Sequence, residues 1–218
     1  MKTIVITGAS RGIGRALAEK FLNEGFFVIG TSRSGEAEYS HENLMFVPLE
    51  LSQVESRKTC AATIQALDKK INILINNAGI WHPEDEAQTI DVAVLQETLD
   101  SNVIGSIDFT EQLLAHNLIS EQIINISSRR GSLSFTTTCL YPNYGISKAA
   151  LNMFTRILAA RLAGKVIVSS VHPGYVKTDM NEGEGDITPQ EAANDIFALI
   201  AKRVESGNFW YKGEIYPW

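Results

Sequence analysis

The chain has 218 residues, 44% of them hydrophobic and 20% charged, with a formal net charge of −6. That length suits one α/β domain over residues 1–218 with a sizeable core, and the composition excludes a long disordered chain. The acidic balance excludes general attraction to nucleic acid or to an anionic membrane, so any anionic ligand must meet local positive groups.

The two cysteines, Cys60 and Cys139, stand in unrelated contexts with no CxxC spacing, so neither a metal site nor a disulfide framework is expected. No apolar run approaches the roughly 18 residues of a membrane span. Met1 to Gly8 enters a strand directly and lacks a signal-peptide layout. Together these features lead us to expect a soluble cytoplasmic protein.

Lys2 to Thr7 is a β-branched run that reads as a buried strand. Gly8-Ala9-Ser10-Arg11-Gly12-Ile13-Gly14 follows, and Ala16 to Asn23 carries helical spacing. A strand, a glycine-rich turn and a helix start together make a phosphate cradle, because the helix N-terminus offers free N–H groups. The same pattern with no ligand would be a tight strand-to-helix turn. Gly25 closes the helix, and Phe26 to Thr31 is the second strand, ending in Ser32-Arg33-Ser34. In a doubly wound sheet this strand end faces the adenosine ribose of a dinucleotide. An acidic residue there would bind two ribose hydroxyls; Arg33 and Arg11 instead suit a 2′-phosphate. NADP(H) is therefore expected over NAD(H), which stays the alternative, as do two simply solvated arginines.

Gly35 to Asn43 reads as loop and Leu44 to Leu49 as the third strand, leading to Glu50-Leu51. Ser52 with Glu55 forms a capping-box pattern for a helix to about Lys69. Ile71 to Ile75 is the fourth strand, and it enters Asn76-Asn77-Ala78-Gly79, small enough for a cofactor to lie against the backbone. Trp81 to Gln88 is a polar loop. Ile90 to Asn117 reads as one long helix with an interruption near Asn102 to Gly105, and Gln122 to Ser127 as the fifth strand. Arg129 to Asn143 lacks periodicity and is long enough for a functional loop.

Tyr144 to Leu162 is the central helix, with Ala149, Ala150, Met153, Ile157 and Leu158 at helical spacing. Tyr144 and Lys148 lie four residues apart, so both project from one face. A nearby ammonium favours phenolate, which predicts a lowered Tyr144 pKa and a better acid-base group. Val166 to Val171 is the sixth strand, followed by His172-Pro173-Gly174-Tyr175-Val176-Lys177-Thr178. Asp179 to Ile187 is acidic and glycine-rich, Pro189 starts a helix to about Val204, and the aromatic stretch Gly207 to Trp218 contains one terminal strand. The alternation points to one Rossmann-type, doubly wound parallel sheet of about seven strands with helices on both faces.

These residues resemble the short-chain dehydrogenase/reductase family along nearly the whole chain. Thr7-Gly8-x3-Gly12-x-Gly14 is similar to its cofactor turn and Asn76-Asn77-Ala78-Gly79 to its fourth-strand motif. Asn102, Ser128, Tyr144 and Lys148 are similar to its catalytic tetrad, and Pro173-Gly174-x-Val176-x-Thr178 to its motif after the sixth strand. The small size and the Pro217-Trp218 ending resemble the subgroup of C-factor and sniffer-type carbonyl reductases.

The resemblance implies an oxidoreductase acting on a small carbonyl or alcohol, assembled as a homodimer or homotetramer. It implies that Tyr144 exchanges the proton, that Ser128 orients the substrate oxygen, with Ser127 as the alternative, and that Lys148 holds the nicotinamide ribose. Asn102 would help hold a water in a proton path, and Thr178 and Val176 would fix the carboxamide. The remaining cofactor contacts would come from Gly8, Ser10, Arg11, Gly12, Ile13, Gly14, Arg33, Glu50, Leu51, Asn77, Ala78, Gly79, Pro173 and Gly174. Two departures stand out: Glu50-Leu51 replaces the family's usual Asp-Leu or Asp-Val, and the Ser128-to-Tyr144 separation is a few residues longer than common. A second reading is a dinucleotide-binding signalling or redox-sensing protein of the C-factor type, for which the acidic Glu182–Asp186 segment would be a contact surface; the same segment reads first as a mobile lid.

Overall fold

Hydrophobic strands that alternate with amphipathic helices must lie parallel, because each helix returns the chain to the same sheet edge. The computed structural model, which describes residues 1–83 and 89–218, has this layout. Strands β1 (Thr3–Ile6), β2 (Phe27–Ser32), β3 (Leu44–Pro48), β4 (Ile71–Asn76), β5 (Ile119–Ile126), β6 (Ile167–Val171) and β7 (Phe209–Tyr211) pair parallel in the order β3-β2-β1-β4-β5-β6-β7. An antiparallel two-residue strand, β8 (Glu214–Ile215), adds an eighth at the β7 edge. The single terminal strand expected from the sequence is thus a short hairpin turned at Lys212-Gly213.

Side chains of each central strand alternate between two cores. Val5, Leu74 and Ile123 point to one, and Ile4, Ile6, Ile73, Ile75 and Ile124 to the other. The first core is covered by α2 (Val54–Ala66), α4 (Ser106–Ala115) and α5 (Pro142–Arg161), the second by α1 (Gly12–Asn23) and α6 (Pro189–Lys202). Strand order reverses between β1 and β4, so the carboxyl ends of β1, β4, β5 and β6 open into one crevice.

Several boundaries differ from the sequence reading. Ser52 and Glu55 form no capping box, because the Ser52 hydroxyl donates to Glu50 Oε1 at 3.1 Å and Gln53 takes the cap position. The long helix expected over 90–117 is α3 (Val92–Leu99) and α4 joined by a wide π-helical turn, Asp100–Gly105. Asp91 caps α3 through its own carboxylate. The turn begins two residues before the interruption read at Asn102, and a side chain at Gly105 would overlap the Leu51 carbonyl. The central helix starts at Pro142 instead of Tyr144, since proline fits a first helical turn whose N–H is unpaired anyway.

Met153 and Ile157, read as packing positions, face outward at 61% and 60% exposure; Leu151, Phe154 and Leu158 pack inward. Helical spacing marks a stripe without saying which side of it meets the sheet. Asp179–Ile187 is an ordered excursion. Asn181 donates to the carbonyls of Val176 and Glu184, and Val176 bridges to Ile187. Of the loop read over Trp81 to Gln88, residues 84–88 lie outside the described residues.

Candidate functional site

The glycine turn leaves β1 at Gly8, whose φ of +66° a residue with a side chain rarely adopts. A side chain at Gly14 would overlap the Gly8 carbonyl, so the first turn of α1 rests directly on the strand end. Arg11 caps α1 with extended backbone and makes no side-chain bond to the helix N–H groups, and the first turn holds no acidic residue. The helix therefore keeps its N–H groups for an outside anion. Ser10 and Ile13 flank this turn, partly buried.

The β1 and β4 ends are tied together beneath it. Thr7 Oγ1 accepts from the backbone N–H groups of Asn77 and Ala78, both at 3.0 Å. Asn77 Nδ2 donates back to the carbonyls of Thr7 and Gly8 at 2.9 and 3.1 Å. Asn77, read as a cofactor contact, thus spends its amide on the turn. Glu50 closes a local loop with Ser52, and Leu51 is buried with its carbonyl accepting from Arg57. Arg33 is exposed and has no ion-pair or hydrogen-bond partner among the described residues. Arg11 reaches across the cradle to Asp179 at 3.2 Å, an exposed pair of little energetic weight.

On the far side of the crevice, α5 presents Tyr144 and Lys148 to the end of β5. Lys148 is buried and its Nζ donates to the Ile126 carbonyl at 2.9 Å. That ammonium lies 5.3 Å from the Tyr144 ring centroid, and a Cβ placed on Gly79 would come within 3.6 Å of it. Gly79 therefore leaves Lys148 and Asn102 facing open backbone. Burial pushes the Lys148 ammonium down to about 8. Burial also pushes the Tyr144 phenol up, to about 12, against the opposing effect of a hydrogen bond from Ser128. The net lowering of Tyr144 expected from its spacing to Lys148 does not hold: removal of the phenolate from water is the largest influence, and it acts upward.

Ser127 and Ser128 divide. Ser127 is buried and its hydroxyl donates to the Lys148 carbonyl at 3.4 Å, whereas the Ser128 hydroxyl meets the Tyr144 phenol. Asn102 is buried at the wide helical turn. Its Oδ1 accepts from Ile80 N–H at 2.7 Å, and its Nδ2 donates to the Ile80 carbonyl at 2.9 Å and to Ser147 Oγ at 3.2 Å. An asparagine within a helix is ordinarily a surface residue or one bonded to backbone; Asn102 is bonded to backbone, across 22 residues of chain.

After β6, Pro173 and Gly174 turn the chain toward the cradle. Val176 is buried, and the Thr178 methyl would lie 3.4 Å from a Cβ on Gly12. Thr178 donates both N–H and hydroxyl to Asn181 Oδ1. The glycine turn and the β6 loop thus face each other across the crevice, with Tyr144 and Lys148 between the ends of β4 and β5.

Two groups of positioning residues escape any local sequence signal. Gly131 lets the turn after β5 lie against α5; a Cβ there would come 2.6 Å from the Lys148 backbone carbon. A buried polar row crosses three strands in register: Asn76 donates to Asn125 and to Thr110, Asn125 donates to Thr155, and the Thr155 and Ser170 hydroxyls are hydrogen-bonded to each other. It ties α4, the sheet and α5 together below the Lys148 turn.

The sequence matches the family described as short chain dehydrogenase over residues 2–189. It is 36% identical over 194 residues to the 3-oxoacyl-[acyl-carrier-protein] reductase of Aquifex aeolicus, covering 82% of this chain and 75% of that protein. Among solved structures, the NADPH-bound carbonyl reductase from chicken fatty liver superposes with a TM-score of 0.89 at 27% identity, over 100% of this chain and 99% of the other. The carbonyl reductase Sniffer of D. melanogaster superposes with a TM-score of 0.89 at 26% identity, over the full length of both chains.

Proposed function

The chain belongs to the short chain dehydrogenase family of oxidoreductases, and on that footing we propose that it moves a hydride between NADP(H) and a carbonyl or secondary alcohol, with Tyr144 as the acid-base group. The observation that carries this reading is the meeting of Ser128, Tyr144 and Lys148 across the crevice from a helix N-terminus left without a side-chain cap. The cofactor, when bound, supplies or accepts the hydride.

The chain's own residues do the rest. Ser128 donates to the substrate carbonyl oxygen and fixes it beside the phenol. Tyr144, held protonated by burial, gives its proton to that oxygen as the carbon is reduced, and takes it back in the reverse direction. Lys148, anchored on Ile126, holds the nicotinamide ribose and stabilises the phenolate left behind. Asn102 keeps the Ile80 backbone and Ser147 in place beside Lys148 and lines the path by which the phenolate is reprotonated.

Gly12, Ile13 and Gly14 at the α1 N-terminus, with Gly8 and Ser10 at the turn, would hold the pyrophosphate. Ala78, Gly79, Glu50 and Leu51 would contact the adenosine side, and Pro173, Gly174, Val176 and Thr178 the nicotinamide side. Arg33 and Arg11 would bind the 2′-phosphate, and Arg11 would have to leave Asp179 to do so. The preference for NADP(H) accords with the NADPH bound to the chicken carbonyl reductase. We place the protein in the cytoplasm; no described helix is long and apolar enough to cross a membrane. We also propose a homodimer or homotetramer joined through the exposed Ile104, Met153 and Ile157.

The direct test is to follow NADPH absorbance while purified protein meets a panel of ketones and aldehydes. Consumption with at least one carbonyl is expected; tight NADPH binding with no turnover on any of them would instead favour a sensing role.

A further inference from the structure

On a chain of net charge −6, two arginines follow Ser128 directly, and neither meets a carboxylate among the described residues. Arg130 donates its backbone N–H to Ser128 Oγ at 3.2 Å, which ties its backbone to the group proposed to orient the reacting oxygen. Arg130 is partly buried, and its guanidinium stacks over the Tyr141 ring at 4.6 Å. Tyr141 in turn lies 6.1 Å from Trp81, which follows Gly79-Ile80, and within electrostatic reach of Tyr175. Arg129 stacks over Phe135 at 5.3 Å.

An arginine stacked on an aromatic face keeps the N–H groups of its edge available. The guanidinium of a partly buried arginine, with no acidic partner among the described residues, suits an anion brought by a ligand. Glu184 accepts from the Tyr175 hydroxyl at 3.0 Å and forms no ion pair with either arginine. Trp81 adds a second sign of unfinished contacts: its Nε1 is buried and has no hydrogen-bond partner among the described residues.

We infer that the substrate is a carbonyl compound carrying a carboxylate, which Arg130 binds at the mouth of the pocket while Trp81 and Tyr141 enclose its carbon skeleton. This rests on the carbonyl reduction proposed above. Arg130 is thereby a specificity-determining residue, and the anion it takes is distinct from the phosphates at the glycine turn, which lie on the other side of the crevice. An aromatic or branched keto acid or formyl acid has the matching chemistry.

The experiment pairs 4-carboxybenzaldehyde with methyl 4-formylbenzoate, substrates of nearly equal size, with NADPH and the wild type, Arg130→Gln and Arg130→Lys. A calorimetric titration of the NADP⁺-loaded protein with 4-methylbenzoate, which cannot be reduced, runs alongside. The wild type should favour the acid in kcat/KM by at least about tenfold, as expected of one charge-assisted contact. Arg130→Gln should erase that preference through the acid alone and weaken 4-methylbenzoate by about tenfold or more, with Arg130→Lys between. Equal use of acid and ester by the wild type, or 4-methylbenzoate binding indifferent to Arg130, overturns the inference and leaves the reduction standing. Arg130-dependent binding of 4-methylbenzoate without reduction of either aldehyde would sink the reduction and leave the anion site standing.

Discussion

Lys148 donates to the Ile126 carbonyl at 2.9 Å, and that one bond aims a buried ammonium along the end of β5 toward Tyr144. Burial then acts on the two groups in opposite senses. It makes the ammonium easier to deprotonate, at about 8, and the phenol harder, at about 12. The phenol is therefore a proton donor throughout the neutral range.

The first consequence is a pH dependence of stability. The folded-state pKa of Lys148 is depressed from 10.5 to about 8, so the unfolded chain binds the proton more tightly. Keeping it charged in the fold opposes stability below about pH 8, and that cost is relieved as pH rises toward 10.5. The full effect is about 3 kcal/mol at most. Urea unfolding from pH 7 to 10 should show wild type gaining on Lys148→Met across this window. A constant difference would mean that Lys148 is better hydrated than its burial indicates.

Cofactor choice is the second. Arg33→Asp should lose about 10- to 100-fold in NADPH affinity and gain affinity for NADH, since one charge-assisted contact becomes a repulsion. Asp179→Asn removes the carboxylate that competes for Arg11, so it should tighten NADPH by a few-fold and leave NADH nearly unchanged. Fluorescence titration with both dinucleotides reads each shift. An unaltered NADPH-to-NADH ratio in Arg33→Asp would show that Arg33 does not touch the phosphate.

A third expectation concerns packing beneath the site. Gly131→Ala sets a methyl group against the Lys148 backbone and should destabilise by about 1–3 kcal/mol, the usual cost of overpacking. Because it displaces the Lys148 turn, it should also lower kcat more than it raises KM. Thermal unfolding with steady-state kinetics separates the two effects. Wild-type stability and kcat in this variant would mean that the turn after β5 can move away freely.

Much of this was readable from local pattern. The glycine turn and the Tyr144–Lys148 pair announce themselves because both depend on spacing within one turn of chain. The strand alternation carried the doubly wound sheet for the same reason. What could not be read lies in contacts between distant segments. The Thr7–Asn77 tie joins residues 70 apart, and the Asn76–Asn125–Thr155–Ser170 row exists only in the register of three strands. Ser52 failed as a cap because Glu50 claimed its hydroxyl. Met153 and Ile157 face outward because α5 sits on the sheet by its other side, which periodicity alone leaves undecided.

That outward pair supplies a fourth expectation. Met153→Glu with Ile157→Glu places two like charges on one exposed stripe four residues apart. Light scattering should show the assembled wild type falling to monomer in the double variant, with little loss of fold stability. A wild type already monomeric at working concentration would remove the proposed interface.

The central claim is that the Tyr144 phenol passes its proton while the bound cofactor passes its hydride. The most direct measurement is NADPH oxidation by Tyr144→Phe on a carbonyl that the wild type reduces, with NADPH affinity measured on the same sample. We expect kcat/KM to drop by about 10²- to 10⁴-fold with cofactor affinity changed by less than about threefold. Turnover equal to the wild type, with cofactor bound equally well, would contradict the account.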